Sequence, residues 1–265
     1  MVFSDLTRER ARQIIARYPE GRSRSALLPL LHLVQSEEGF VSPDGIAFCA
    51  DILGITKAQV GAVATFYTMY KRKPTGDWLV SVCTNTMCGV LGGDKAYEAV
   101  SEYLGVGHDE TTADGKITLE HAECLAACDY APVMTVNYEF FDQVNDDTAL
   151  KLVKQLQDGE RPQPSRGTRL CTLKEMAVQL AGFADDRGDE VIADGPAGAP
   201  TLAGNRLAER FGISVPGFDP KTPIAKKEDA AAKQAPPAAP ASTPKPASDG
   251  KPAGDGPLPQ KEAKA

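Results

Sequence analysis

Trp78-Leu79-Val80-Ser81-Val82-Cys83-Thr84-Asn85-Thr86-Met87-Cys88 is an apolar run that ends on one cysteine and reaches a second five positions later. Trp78 to Val82 reads as a buried strand, set off upstream by the turn cluster Lys73-Pro74-Thr75-Gly76-Asp77. A loop through Gly89, Gly92 and Gly93 follows, then a helix from Lys95 to Leu104 with Ala96, Ala99, Val100 and Leu104 at helical spacing. Asp114-Gly115 turns the chain into a short strand, Ile117 to Glu120. Val133–Asn137 and Glu139–Val144 read as a strand hairpin, and Leu150–Leu156 as a helix. The order β-α-β-β-β-α is that of a small α/β sandwich.

Cysteine spacing supplies the chemistry. Cys83-x4-Cys88 is followed, after thirty-five residues, by Cys124-x3-Cys128. Each pair lies in a loop after a predicted strand, and such loops can meet at one end of a sheet. Four thiolates suffice for a 2Fe–2S cluster, one pair for each iron. Structural zinc also takes four cysteines, usually at tighter spacing. A thioredoxin-type dithiol needs C-x-x-C, and a 4Fe–4S site a compact C-x2-C-x2-C run; neither is present. Gly89, Gly92 and Gly93 allow backbone close to sulfur, with N–H groups free to donate to it, and Ala126 and Ala127 keep the second loop narrow. Pro132 is a candidate for a cis bond, although trans is the commoner form of an X–Pro bond. Cys49, among Ala47, Phe48 and Ile52, reads as a core thiol, and Cys171, before a helix, as a buried or unreactive one. His121, three positions before Cys124, reads as a surface histidine.

Upstream, residues 5–70 carry four helical segments. Asp5–Arg17 is amphipathic, and Pro19, Gly21 and Ser23 break it. Ser25–Glu38 follows, with Leu27, Leu28, Leu31 and Val34 on one face. Ser42-Pro43 opens a third segment, and a capping box at Thr56-Lys57-Ala58-Gln59 a fourth, which ends at Phe66-Tyr67. Short connections between them imply a helical bundle. Downstream, Arg161-Pro162-Gln163-Pro164 is a linker, and Thr172-Leu173-Lys174-Glu175 is again a capping box. Its helix places Leu173, Met176, Ala177, Leu180 and Ala181 on one face. Thr201–Phe211 is a second candidate helix. From Lys221 onward there are nine Pro, twelve Ala and no aromatic residue, a composition expected to be disordered. The expected division is thus a bundle over 1–72, a cluster domain over 73–160, an extension over 161–220 with short docking helices, and a tail over 221–265.

The net charge is −7; eight Lys against five acidic residues give the stretch from Lys221 +3, leaving −10 on residues 1–220. So acidic a body argues against nucleic-acid binding. The sequence has no eighteen-residue apolar run and no signal-peptide pattern at its start, so a soluble cytoplasmic protein is expected, with metal or redox roles for its cysteines.

Cys83-Thr84-Asn85-Thr86-Met87-Cys88 and Glu123-Cys124-Leu125-Ala126-Ala127-Cys128-Asp129-Tyr130-Ala131-Pro132 resemble the thioredoxin-like 2Fe–2S subunit of NADH:quinone oxidoreductase, complex I, known as the E subunit or the 24-kilodalton subunit. Arg24-Ser25-Ala26-Leu27-Leu28, Val63-Ala64-Thr65-Phe66-Tyr67 and Pro132-Val133-Met134-Thr135-Val136-Asn137 agree with it, and the likeness covers about residues 5–160. It implies a helical bundle followed by a thioredoxin-like ferredoxin domain, with one 2Fe–2S cluster on Cys83, Cys88, Cys124 and Cys128. It further implies a flavoprotein partner that binds NADH and FMN, where hydride supplies two electrons that iron–sulfur clusters take singly. A large iron–sulfur subunit of the peripheral arm is a second implied neighbour, and the place is the cytoplasmic face of the cell membrane. This chain has no Gly-rich dinucleotide fingerprint, so hydride transfer belongs to the partner. The same module serves in NAD-linked hydrogenases and formate dehydrogenases, which remain alternatives, as does a zinc-stapled interaction module. The extension departs from the family pattern; its apolar helix faces suggest docking on neighbouring subunits.

Overall fold

The computed structural model describes residues 3–184 and 198–214. Residues 1–213 form one compact unit. The second unit, residues 214–265, lies outside the described residues but for Ser214, and with it the expected disordered tail.

Helices α1 (Asp5–Ala16), α2 (Leu27–Glu38), α3 (Pro43–Leu53) and α4 (Lys57–Phe66) build the bundle. Their starts are set by side chains that accept the free N–H groups of a first turn. Ser4 caps α1, Ser42 caps α3 with Pro43 behind it, and Thr56 and Gln59 close the expected box on α4. A 3-10 turn, Ser23–Ala26, precedes α2, so the second helix starts later than its apolar pattern suggests. Ile14, Leu30, Leu31, Leu33, Val34 and Val60 fill the bundle's core, and Cys49 lies fully buried among them.

The sheet comprises β1 (Trp78–Cys83), β2 (Glu110–Thr111), β3 (Ile117–Ala122), β4 (Met134–Val136) and β5 (Glu139–Phe141), in the order β2-β3-β1-β4-β5. Strands β1 and β3 are parallel, joined through α5 (Thr86–Val90) and α6 (Gly93–Leu104); the other pairs are antiparallel. Val80, Val82, Ile117, Leu119, Met134 and Val136 face α6 and α7 (Asp146–Gln157) in a second core. Ser81 and Cys83 alternate to the other face. There Ser81 Oγ donates to Glu120 Oε1 at 2.6 Å, and Lys71, arriving from the bundle, pairs with Glu120.

β4 turns into β5 at Asn137 and Tyr138, both with positive φ (48° and 72°). Asn tolerates this conformation better than most residues. Its fully buried amide accepts from Leu79 N (2.7 Å) and donates to Asp77 O and Cys171 O (2.8 Å each). One side chain thereby ties the hairpin, the start of β1 and the extension together.

The structure departs from the sequence pattern at several points. The loop after Cys83 contains α5, too short for periodicity to reveal, and the sheet gains the two-residue β2. The Ala131–Pro132 bond takes the cis form, the less common of the two open to it. The apolar face of α8 (Leu173–Leu180) is not left for a neighbouring subunit: it packs along α2, with Leu173, Met176 and Ala177 buried and Ala181 in the bundle core. Its expected capping box, Thr172 with Glu175, is present. Helix α9 (Ala203–Phe211) does keep Leu207 and Phe211 exposed.

Candidate metal centre

Cys83 is the last residue of β1, and Cys88 lies inside α5. Cys124 is two residues past the end of β3, and Cys128 opens a 3-10 turn, Cys128–Tyr130. Because β1 and β3 are parallel, with Cys83 in register with Ala122, both cysteine loops leave the sheet at the same end. Asn85 Nδ2 donates to Glu123 Oε2 at 3.1 Å, joining the two loops.

The four thiols come together. Cys124 Sγ and Cys128 Sγ are 3.8 Å apart. Cys83 and Cys88 pack in one buried cluster, and Cys88 lies close enough to Cys83 and Cys128 for their charges to interact, as does Cys128 to Cys83. The inner pair, Cys83 and Cys88, is buried; the outer pair, Cys124 and Cys128, is exposed. Burial pushes the Cys88 thiol up to about 11, with the neighbouring thiols adding to the rise and a backbone hydrogen bond from Val133 opposing it. The hydrogen bond and charge of Cys124 likewise raise Cys128. Buried, mutually repelling thiolates are unfavourable alone and favourable around cationic iron. Among the described residues no three His, Cys, Asp or Glu side chains close on a single metal-ion position. Two neighbouring pairs of thiols are the kind of donor set that a two-iron cluster takes.

The backbone fits the same role. An ideal Cβ on Gly93 would lie 2.4 Å from Cys83 O and 2.9 Å from Cys88 O, so glycine is what lets α6 begin against both inner cysteines. Ala126 takes a left-handed φ of 58° and donates its N–H to Cys124 Sγ at 3.3 Å. Nothing in its residue type announces this strained position. Two of the expected glycine donors are otherwise engaged: Gly89 N–H bonds Asn85 O, and Gly92 N–H bonds Gly89 O. Val133, Ala127, Leu125, Tyr130, Ala131 and Phe140 form an apolar surround to the inner pair.

The remaining candidates lie elsewhere. Burial pushes the Cys49 thiol up to about 12, and Cys171 is buried, its carbonyl accepting from Asn137 Nδ2 and its thiol from Gln179 Nε2 of α8. His121 is exposed, its ring 4.0 Å from that of His108.

A thioredoxin-like mixed sheet with four cysteines gathered at one end defines the class of the ferredoxins of that fold. The chain belongs to the thioredoxin-like [2Fe-2S] ferredoxin family, whose model matches residues 11–157. It is 54% identical over 206 residues to the E subunit of NADH-quinone oxidoreductase from Mycobacterium tuberculosis, covering 78% of this chain and 80% of the relative. It is 38% identical over 146 residues to the corresponding NADH-quinone oxidoreductase subunit of Rickettsia prowazekii, covering 55% of this chain and 82% of that one. The mycobacterial likeness, at 206 residues of 265, runs well beyond the 157 at which the family model stops. Among solved structures, an NAD+-reducing [NiFe]-hydrogenase matches at 16% identity and a TM-score of 0.46, over 50% of this chain and 23% of that one, too slight a likeness to carry weight.

Proposed function

We propose that this chain is the electron-transfer subunit of a respiratory NADH:quinone oxidoreductase, with Cys83 and Cys88 holding one iron of a 2Fe–2S cluster and Cys124 and Cys128 the other. When bound, such a cluster supplies one-electron redox chemistry. The gathering of four thiols at one sheet end, in a chain of this family, carries the reading. The burial of the inner pair excludes water from one side, and the Ala126 N–H offsets charge on Cys124. The exposed outer pair is the side at which a partner can approach within electron-transfer reach. Residues 1–72 serve as a bundle on which the cluster domain, 73–160, is mounted.

The partner is a flavoprotein subunit that binds NADH and FMN, and a large iron–sulfur subunit adjoins both. No helix among the described residues is long and apolar enough to cross a membrane. The place of work is the cytoplasmic face of the cell membrane, in the peripheral arm.

Iron and acid-labile sulfide in equal amounts, near two of each per chain, with a paramagnetic signal on one-electron reduction, is the expected result. A colourless protein with stoichiometric zinc after anaerobic preparation overturns it. Reduction of the cluster by NADH only when the flavoprotein is added tests the partner.

A further inference from the structure

The extension beyond residue 157 lies outside the family model, yet two separate parts of it reach the loop that carries Cys128. The first runs along the outer edge of β5. Ser165 N–H bonds Phe140 O, and Ser165 Oγ accepts from Asp142 N, both at 2.8 Å; Arg166 bridges to Phe140. The Arg166 guanidinium pairs with Asp142 Oδ1 at 2.7 Å and lies 4.5 Å from the Phe140 ring centre and 5.2 Å from that of Tyr130. Both rings belong to the apolar surround of Cys83 and Cys88. Cationic guanidinium over aromatic faces is attractive, and here it is partly desolvated.

The second part is Gly198–Thr201. The Thr201 hydroxyl donates to Asp129 Oδ2, one residue from Cys128. An ideal Cβ at Gly198 would lie 2.1 Å from the Tyr130 hydroxyl, so this backbone sits directly on that side chain. Between these contacts is a loop whose regular structure is one 3-10 turn and whose two cysteines are exposed.

We propose that the extension is a clamp on the cluster loop: Arg166 and Gly198–Thr201 grip Asp129 and Tyr130, next to Cys128, and slow the loss of iron from the Cys124–Cys128 pair. The proposal rests on the cluster reading above. The grip acts through Asp129 and Tyr130, so Arg166 and Thr201 are positioning residues. Groups that hold metal ligands in place typically govern 10–100-fold in metal affinity.

The test uses the full-length chain with its cluster reconstituted anaerobically, mixed with excess EDTA while the visible absorption is timed. Thr201→Val should bleach about tenfold faster than wild type, with Thr201→Ser near the wild-type rate, because the hydroxyl is what counts. Arg166→Ala should also bleach faster. Arg166→Lys, which keeps a cation for Asp142 but no flat face for the rings, should fall between. The apo-protein unfolding midpoint of Thr201→Val should not move, which separates a grip on the cluster from general stability. Should Arg166→Ala fail to fold, Arg166→Lys and the Thr201 pair decide. A wild type that takes up no cluster overturns the functional reading. A wild type that holds its cluster while Thr201→Val bleaches at the same rate overturns the clamp alone.

Discussion

Gly93→Ala is the sharpest single test of how the fold presents its inner cysteines. The added methyl would meet Cys83 O at 2.4 Å, Cys88 O at 2.9 Å and Cys88 C at 3.0 Å. A relaxed carbon–oxygen contact is about 3.3 Å or more, so the worst overlap is about 0.9 Å. All three atoms are backbone, and no side chain can swing aside. Either the start of α6 retreats or the Cys83 and Cys88 backbone shifts by a large part of that ångström. Overpacking of this kind costs about 1–3 kcal/mol, and rigid neighbours put this case at the upper end. Metal sites tolerate errors of about 0.2 Å in ligand distance, so the cluster should suffer more than the fold. Urea unfolding of the apo protein should show the stability loss, and iron, sulfide and the reduced-state spectrum should show cluster content well below wild type. Gly61→Ala is the control, since its methyl meets nothing within 4 Å and lies within α4; it should be neutral or stabilising by up to about 1 kcal/mol. Wild-type midpoint and wild-type iron in Gly93→Ala would refute the reasoning.

Cys83→Ser and Cys124→Ser should each weaken or alter the cluster, while Cys49→Ser and Cys171→Ser leave the reduced-state spectrum unchanged; unchanged iron content in either of the first two contradicts the ligand assignment. Asn137→Ala removes three buried hydrogen bonds and places alanine at φ 48°, which should destabilise the chain by about 3–5 kcal/mol in denaturant unfolding; a loss under about 1 kcal/mol would refute its role as a tie. His32 is buried in α2 against Tyr70, and desolvation lowers its pKa to about 4. Its unfolded form takes up a proton near 6.5, so this contribution to stability is complete above that pH. It falls as pH drops from about 6.5 toward 4, by up to about 3 kcal/mol. His32→Leu should flatten that part of the stability–pH curve, and an identical slope in wild type and variant would exclude His32 as its source.

Long periodic segments and side-chain caps are readable from residues alone. Thr56 with Gln59 and Thr172 with Glu175 each mark a helix start, because the side chain that satisfies the first turn is itself in the sequence. The box on α7 is harder to see because Asn145 and Thr148 use the same geometry with less usual residues. The paired cysteines announce a metal site, since few other roles need four thiols at such spacing. What is not readable depends on distant partners. Five residues of α5 make no periodic pattern, Asn137 looks like the end of a strand, and the left-handed Ala126 is enforced by its loop. The face of α8 is visible as apolar, but only tertiary packing can say that α2 covers it.

The pairing of Phe140 with Arg166 bears on aggregation as well as on the site. A β-sheet with bare outer strands is a template on which another chain can add. Here one flank is β2, only two residues long, and along the other the returning chain occupies hydrogen-bonding positions of β5. The extension thereby covers, in the folded chain, a sheet margin to which a stray strand could otherwise add.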